Sequence, residues 1–269
     1  MPIMACSIVC LLIQSTGGTG TAFTIDVDGR QYIITAKHIV DGIPNEAEST
    51  IQIRRKSGLV PLKVRVFKCD DPTDIAVLVP PAQLTVAFPL EPNAEGIAVG
   101  QDAYFVGFPY GEGVAYGTLP DVFGHVKRVT LSALVKLPGH KADQLLELDG
   151  YNNPGFSGSP VVWVPVSKKN SGVLEYNVAA VISDFIYDAT PVVKKKKELQ
   201  PDQVTKEDLL QGKVVRTITD GRYYQVESTD ELVKLNTGIA QAWDIYPAIE
   251  LIKQHPIGPK IDPNFVGHD

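Results

Sequence analysis

The sequence predicts an all-β fold of the barrel or sandwich class, ended by one α-helix. Short apolar, β-branched runs recur at close spacing between Ser7 and Ser183. Turn signals such as Asp28-Gly29, Ser57-Gly58 and Pro80-Pro81 separate them. Near the end the period changes. Ile245, Ala248, Ile249 and Ile252 recur at helical spacing and form one apolar face.

Ser7–Gln14 reads as a first strand that stops at Gly17-Gly18. The apolar stretch Met4–Ile13 has no Lys or Arg before it and no convincing cleavage site after it, so it reads as a strand rather than a leader. Thr21–Val27 and Gln31–Thr35 flank Asp28-Gly29 and form a hairpin. Ile51–Arg55 and Leu62–Phe67 flank the turn at Gly58, and Ile75–Val79 is a continuously apolar run. Pro89–Gly100 is loop-like and divides the chain into halves, residues 1–98 and 99–254, before a tail at 255–269.

In the second half, Asp102–Val106 is a strand and Phe108–Leu119 a Gly-rich loop. Val122–Val135, Gln144–Leu148, Ser159–Val164 and Tyr176–Ser183 follow as strand material. The polar region at about 187–231 reads as a surface insertion, with a short helix at Thr205–Gln211 and a hairpin over Val214–Val226. The Lys194–Lys197 run within it reads as a solvated face. Asp244 is the expected N-cap of the terminal helix, Pro247 fits its first turn and Pro256 stops it.

With 269 residues, 44% of them hydrophobic, the chain buries a sizeable core. Its net charge of −6 argues against nucleic acid as a partner, which calls for a basic face. No segment approaches the ~20 apolar residues that span a bilayer, so no membrane partner is expected. The three cysteines, Cys6, Cys10 and Cys69, are sparse and odd in number, which fits a reducing, cytoplasmic setting without disulfides. Cys6 and Cys10 share one strand face, but four rises separate them by roughly 13 Å. A disulfide reaches about 7 Å between Cα atoms. His125 and His140 lack metal-ligand spacing with Cys or carboxylate pairs, so no metal or other cofactor is expected.

Three segments carry chemistry. In Asn153-Pro154-Gly155-Phe156-Ser157-Gly158-Ser159-Pro160, Gly155 lets the backbone N–H groups of Gly155 and Ser157 point into one small space. That arrangement receives the oxygen that becomes negative when Ser157 attacks a carbonyl. Alone, the segment reads equally as a Gly-Ser loop. His38 ends the β-prone run Tyr32–Thr35, and a strand end can hold a general base, although a lone His there is more often a surface or core residue. Asp74 stands at the mouth of an apolar strand, where a buried carboxylate needs a donor, and a histidine N–H supplies one.

Together these segments resemble the trypsin-like, chymotrypsin-fold serine peptidases, in particular the HtrA-like bacterial branch. The resemblance rests on Gly18–Phe23, Ile34–Val40, Thr73–Leu78, Val106–Gly111, Asn153–Pro160 and Asn236–Ala240, and runs roughly from Ile13 to Lys253. The order His, Asp, Ser matches that family. The resemblance implies two packed six-stranded β-barrels, the first giving His38 and Asp74 and the second Ser157. It implies an oxyanion hole at Gly155 and Ser157, and serine endopeptidase activity on protein or peptide substrates. It also places Tyr151 at the base of the specificity pocket and Gly238, Ile239 and Ala240 on its wall, which favours small or medium apolar side chains before the cut. No PDZ-like domain is expected after the terminal helix. Phe156 stands where relatives that mature by N-terminal cleavage carry an acidic residue, so activity without cleavage is expected. The oligomeric state is left open.

An α/β-hydrolase is excluded, because Ser159 replaces the final glycine of its motif and only His255 and His268 follow the serine. Gly17-Gly18-Thr19-Gly20 lacks the Lys of a phosphate loop. The remaining alternative is a catalytically silent protease fold used for binding.

Overall fold

The computed structural model describes residues 10–55, 57–87, 90–115, 122–136, 144–165 and 176–266. Cys6, His140, the start of the expected first strand and residues 116–119 of the expected Gly-rich loop lie outside them. The fold is all-β, and six strands close the first barrel: β1 (Cys10–Ser15), β2 (Gly18–Val27), β3 (Arg30–Ala36), β4 (Glu48–Arg55), β5 (Gly58–Lys68) and β6 (Ile75–Val79). Around the barrel they run β1-β2-β3-β6-β5-β4, and β1 pairs with β4 to close it.

The next strands are β7 (Glu91–Pro92), β8 (Asp102–Gly107), the pair β9 (Val114–Ala115) and β10 (Val122–Phe123), β11 (His125–Lys136), β12 (Gln144–Asp149) and β13 (Pro160–Trp163). The long strands β14 (Asn177–Leu199) and β16 (Tyr223–Asp244) bracket the short helix α1 (Lys206–Leu210) and β15 (Val214–Arg216). Neighbours run β15-β16-β12-β11-β8-β13-β14-β7, and β16 also pairs with β14. Helix α2 (Tyr246–Gln254) follows.

The period-2 alternation of strands explains why their sequences are apolar throughout. In β1, β2, β3 and β6, one face (Leu11, Ile13, Ala22, Ile33, Ala76, Leu78) fills the first barrel. The opposite face (Leu12, Phe23, Ile34, Ile75, Val77) joins a core that also contains Val106, Phe108, Val162 and Val178. Both faces are buried, so no polar residue interrupts Ile75–Val79. In β8, Ala103 and Phe105 point into the second barrel while Val106 points to the shared core. The two barrels are therefore packed on one another.

Helix α2 seals the shared core with Ala248, Ile249 and Ile252. Its N-cap is Ile245, one residue later than expected, although the Asp244 carboxylate still accepts the Tyr246 N–H at 2.9 Å. Beyond it the chain returns to the β2–β3 hairpin: Gln31 N–H donates to Pro259 at 3.0 Å and Ile261 N–H to Gly29 at 3.0 Å.

By compactness the chain divides into 1–186 with 238–269, and 187–237. The second unit differs from a plain loop insertion, because β14 and β16 continue as strands well past Ser183 and before Gly238. The lysine run lies on β14. There Lys195 covers the Tyr224 ring at 4.2 Å and Lys196 pairs with Glu227 at 2.8 Å. Strand propensity is low for consecutive lysines, and these cross-strand partners offset it. Thr205 caps α1 by accepting the Asp208 N–H at 3.0 Å.

Candidate active site

His38 and Asp74 meet because of strand register. β3 pairs with β6 such that Ala36 faces Ile75, which puts Asp74 opposite the residues just after Ala36. The strand ends at Ala36, and His38 sits on the 3₁₀ turn Lys37–Val40 rather than on the strand itself. Lys37 N–H donates to the Asp74 carbonyl at 3.2 Å. The Asp74 carboxylate then receives the His38 backbone N–H at 2.9 Å and ring Nδ1 at 2.7 Å. This fixes the tautomer with the proton on Nδ1 and leaves Nε2 to accept.

A third donor was not legible in the sequence. Ser183 Oγ donates to Asp74 Oδ2 at 2.5 Å. Its only sequence signal is its place as the first polar residue after the apolar run Val178–Ile182. Burial would raise the Asp74 carboxyl. The His38 and Ser183 hydrogen bonds and the His38 charge outweigh that and hold it below its ordinary value. For His38, burial opposes the charged form, but the Asp74 bond and charge prevail. The charges of Asp184 and Asp41 add to them and raise the imidazole above its usual value. The His38 side chain keeps 40% exposure.

Ser157 lies on the turn before β13. Its carbonyl accepts the Thr21 N–H of the first barrel at 2.8 Å, and its Oγ donates to the Ser183 carbonyl at 3.1 Å. Gly158 has φ +88, and a Cβ there would collide with the Thr21 carbonyl. The glycine thus serves the approach of the two barrels rather than space around the hydroxyl. Gly155 has φ +99, and a Cβ there would overlap the Phe108 carbonyl. Its own carbonyl is held by Thr21 Oγ1 at 2.7 Å, and the same hydroxyl oxygen accepts the Phe108 N–H at 3.0 Å. Among the described residues, the N–H groups of Gly155 and Ser157 donate to no protein acceptor.

Phe156 finds the apolar niche it needs. It is fully buried and meets Phe105 edge-on with ring centroids 4.9 Å apart.

The expected pocket residues are only partly assembled. Tyr151 stands beside Gly238, where a Cβ would lie 3.6 Å from its ring. Tyr151 is 59% exposed rather than enclosed. Ile239 is half-buried. Ala240, on the opposite strand face, lies fully buried within the second barrel's core with Leu148 and Phe105. Its methyl therefore packs in the core rather than beside Ile239. Among the described residues no cluster of three or more His, Cys, Asp or Glu is placed to hold a metal ion.

Two barrels with a Ser–His–Asp cluster at their junction define a serine-type endopeptidase. Residues 19–163 match the trypsin-like peptidase domain family, and the chain belongs to it. No curated protein matches the sequence. Among solved structures, the chain is similar to the HtrA-type protease AlgW with a tripeptide, at 15% identity and TM-score 0.51, over 94% of this chain and 63% of that one. AlgW with a decapeptide gives 15% and 0.50, over 93% and 64%. The Rv3671c protease of M. tuberculosis H37Rv, in an inactive form, gives 16% and 0.48, over 94% and 91%. The chain thus spans less than two thirds of the AlgW length. At these identities the likeness shows the fold alone.

Proposed function

We propose that the chain hydrolyses peptide bonds through an acyl-enzyme on Ser157, with His38 as general base and Asp74 as its orienting carboxylate. One observation carries the reading: His38 Nδ1 is locked onto Asp74 at 2.7 Å, while the Gly155 and Ser157 N–H groups donate to no acceptor among the described residues. In the resting arrangement the serine hydroxyl rests on the Ser183 carbonyl. Attack requires its swing to His38 Nε2, a contact that often tightens only with substrate bound. His38 takes the serine proton and returns it to the leaving amine, and the Gly155 and Ser157 N–H groups hold the negative oxygen. The retained network disfavours the binding-only alternative.

Peptides are the proposed substrates, with small or medium apolar residues before the cut. The groups beside that site, Tyr151 and Ile239, are not acidic. A Lys or Arg side chain placed there would be desolvated without a partner. The same reading puts the protein in the cytoplasm, in keeping with its sparse cysteines. Turnover of a peptide library by wild type, Ser157→Ala and His38→Ala tests the assignment. Either substitution is expected to cost about four orders of magnitude or more in kcat. Undiminished turnover in Ser157→Ala removes Ser157 from the mechanism.

A further inference from the structure

We propose that Lys127 is a positioning residue that holds residues 151–157 in the conformation that forms the oxyanion hole. The proposal rests on Ser157 as nucleophile, and it concerns a side chain that touches neither Ser157 nor His38.

Lys127 lies on β11, paired with Phe105 of β8. Its side chain is half-buried. It donates to the Tyr151 carbonyl at 2.7 Å and to Asn153 Oδ1. Its remaining face covers the Phe156 ring, 5.1 Å from the centroid, and the Phe105 ring at 6.0 Å. All of these partners are neutral. A surface lysine ordinarily keeps its charge in water, and a partly desolvated one without a counter-ion has a cost. Burial accordingly pulls the Lys127 ammonium below its ordinary pKa. The return for that cost lies in what it holds, three residues of the one segment that leads to Ser157.

That segment needs outside fixing. Gly155 adopts φ +99, and glycine visits both signs of φ with little preference. The local sequence therefore does not set where the Gly155 N–H points. Tertiary ties must do so. Among the described residues, neutral ties include Asn152 Nδ2 to the Asp184 carbonyl at 3.0 Å, the Tyr110 N–H to the Pro154 carbonyl at 2.6 Å, and Thr21 Oγ1 to the Gly155 carbonyl at 2.7 Å. Asn153 adds Nδ2 to Tyr110 Oη at 3.3 Å. Lys127 adds a charged donor to these ties, and charge-assisted bonds are roughly twice as strong as neutral ones. It grips the segment at 151 and 153 through hydrogen bonds and lies over the ring at 156. With it in place the hole is preformed within a single uncut chain.

The test compares a ligand that uses the hole with one that does not. In Lys127→Met, the affinity for a peptide boronate, which forms a tetrahedral adduct with Ser157, is expected to fall about tenfold to a hundredfold. The kcat falls by the same factor, while KM and the affinity for the cleaved product peptide stay unchanged. Lys127→Arg, which keeps charge and donors, recovers part of the loss. Asn153→Leu removes one of the same bonds and carries the same expectation if Lys127→Met folds poorly. Full boronate affinity in folded Lys127→Met overturns the proposal. So does an equal loss of boronate and product binding, the mark of a merely structural role. Wild type that forms no boronate adduct instead overturns the nucleophile assignment itself, and the proposal with it.

Discussion

The Ser183 hydroxyl lies 2.5 Å from Asp74 Oδ2, the same oxygen that receives His38 Nδ1. Ser183 also supplies the carbonyl on which Ser157 Oγ rests at 3.1 Å. One residue of β14 thus touches both the carboxylate and the nucleophile. It ties the second barrel to the Asp74 loop of the first.

Ser183→Ala is therefore expected to lower kcat/KM by about ten- to a hundredfold, in line with the ~1.5–3 kcal/mol of a hydrogen bond to a charged group. The Asp74 carboxyl loses a donor that holds it low, so its titration moves up. Steady-state kinetics across pH reads both effects. An unchanged rate would show that the Ser183 bond does not support the dyad.

The acid limb of kcat/KM reports His38 in the free enzyme. Its pKa is raised, so the inflection is expected above the ordinary histidine value of about 6.5. Activity needs the neutral imidazole and rises with pH through that point. Stability runs the other way: the gain from protonated His38 is complete below the unfolded value and disappears as pH rises through the folded one. The Asp184 charge contributes to the upward shift, so Asp184→Asn should move the limb to lower pH. A limb that stays in place or moves up contradicts this electrostatic account.

The folded strands were legible because both faces of β1, β2, β3 and β6 are buried, leaving uninterrupted apolar runs in the sequence. His38 and Asp74 were legible because each adjoins such a run. Their contact follows from the Ala36–Ile75 pairing. Other features depend on long-range contact alone. Ser183 and Lys127 carry no local motif, and only the fold brings them to Asp74 and Asn153. The length of β14 is not legible in the sequence, because Lys194–Lys197 reads only as a solvated face until Tyr224 and Glu227 appear opposite it. The pocket was only half legible. Alternation along β16 sends Ala240 into the core while Ile239 faces the other way.

Cys10 and Cys69 are buried thiols in the core shared by the barrels. Thermal melting with and without dithiothreitol is expected to give the same midpoint. A fall in Tm on reduction would reveal a stabilising disulfide and contradict the assignment to a reducing compartment.

Peptide-library profiling is expected to show Ala, Val, Ile or Leu before the cut. Selectivity among them should be broad, since one methylene changes such a preference by only ~1–3 kcal/mol. Dominant cleavage after Lys or Arg contradicts the assignment of the uncharged Tyr151 to the pocket.

The central claim is that Ser157 is a nucleophile activated by His38 in the intact, uncut chain. Reaction with a fluorophosphonate, followed by intact-mass measurement and peptide mapping, tests it most directly. The account predicts one adduct per uncut chain, located on Ser157, absent in Ser157→Ala and slowed by orders of magnitude in His38→Ala. An adduct on another residue, labelling that survives Ser157→Ala, or labelling that appears only after the N-terminus has been trimmed would contradict it.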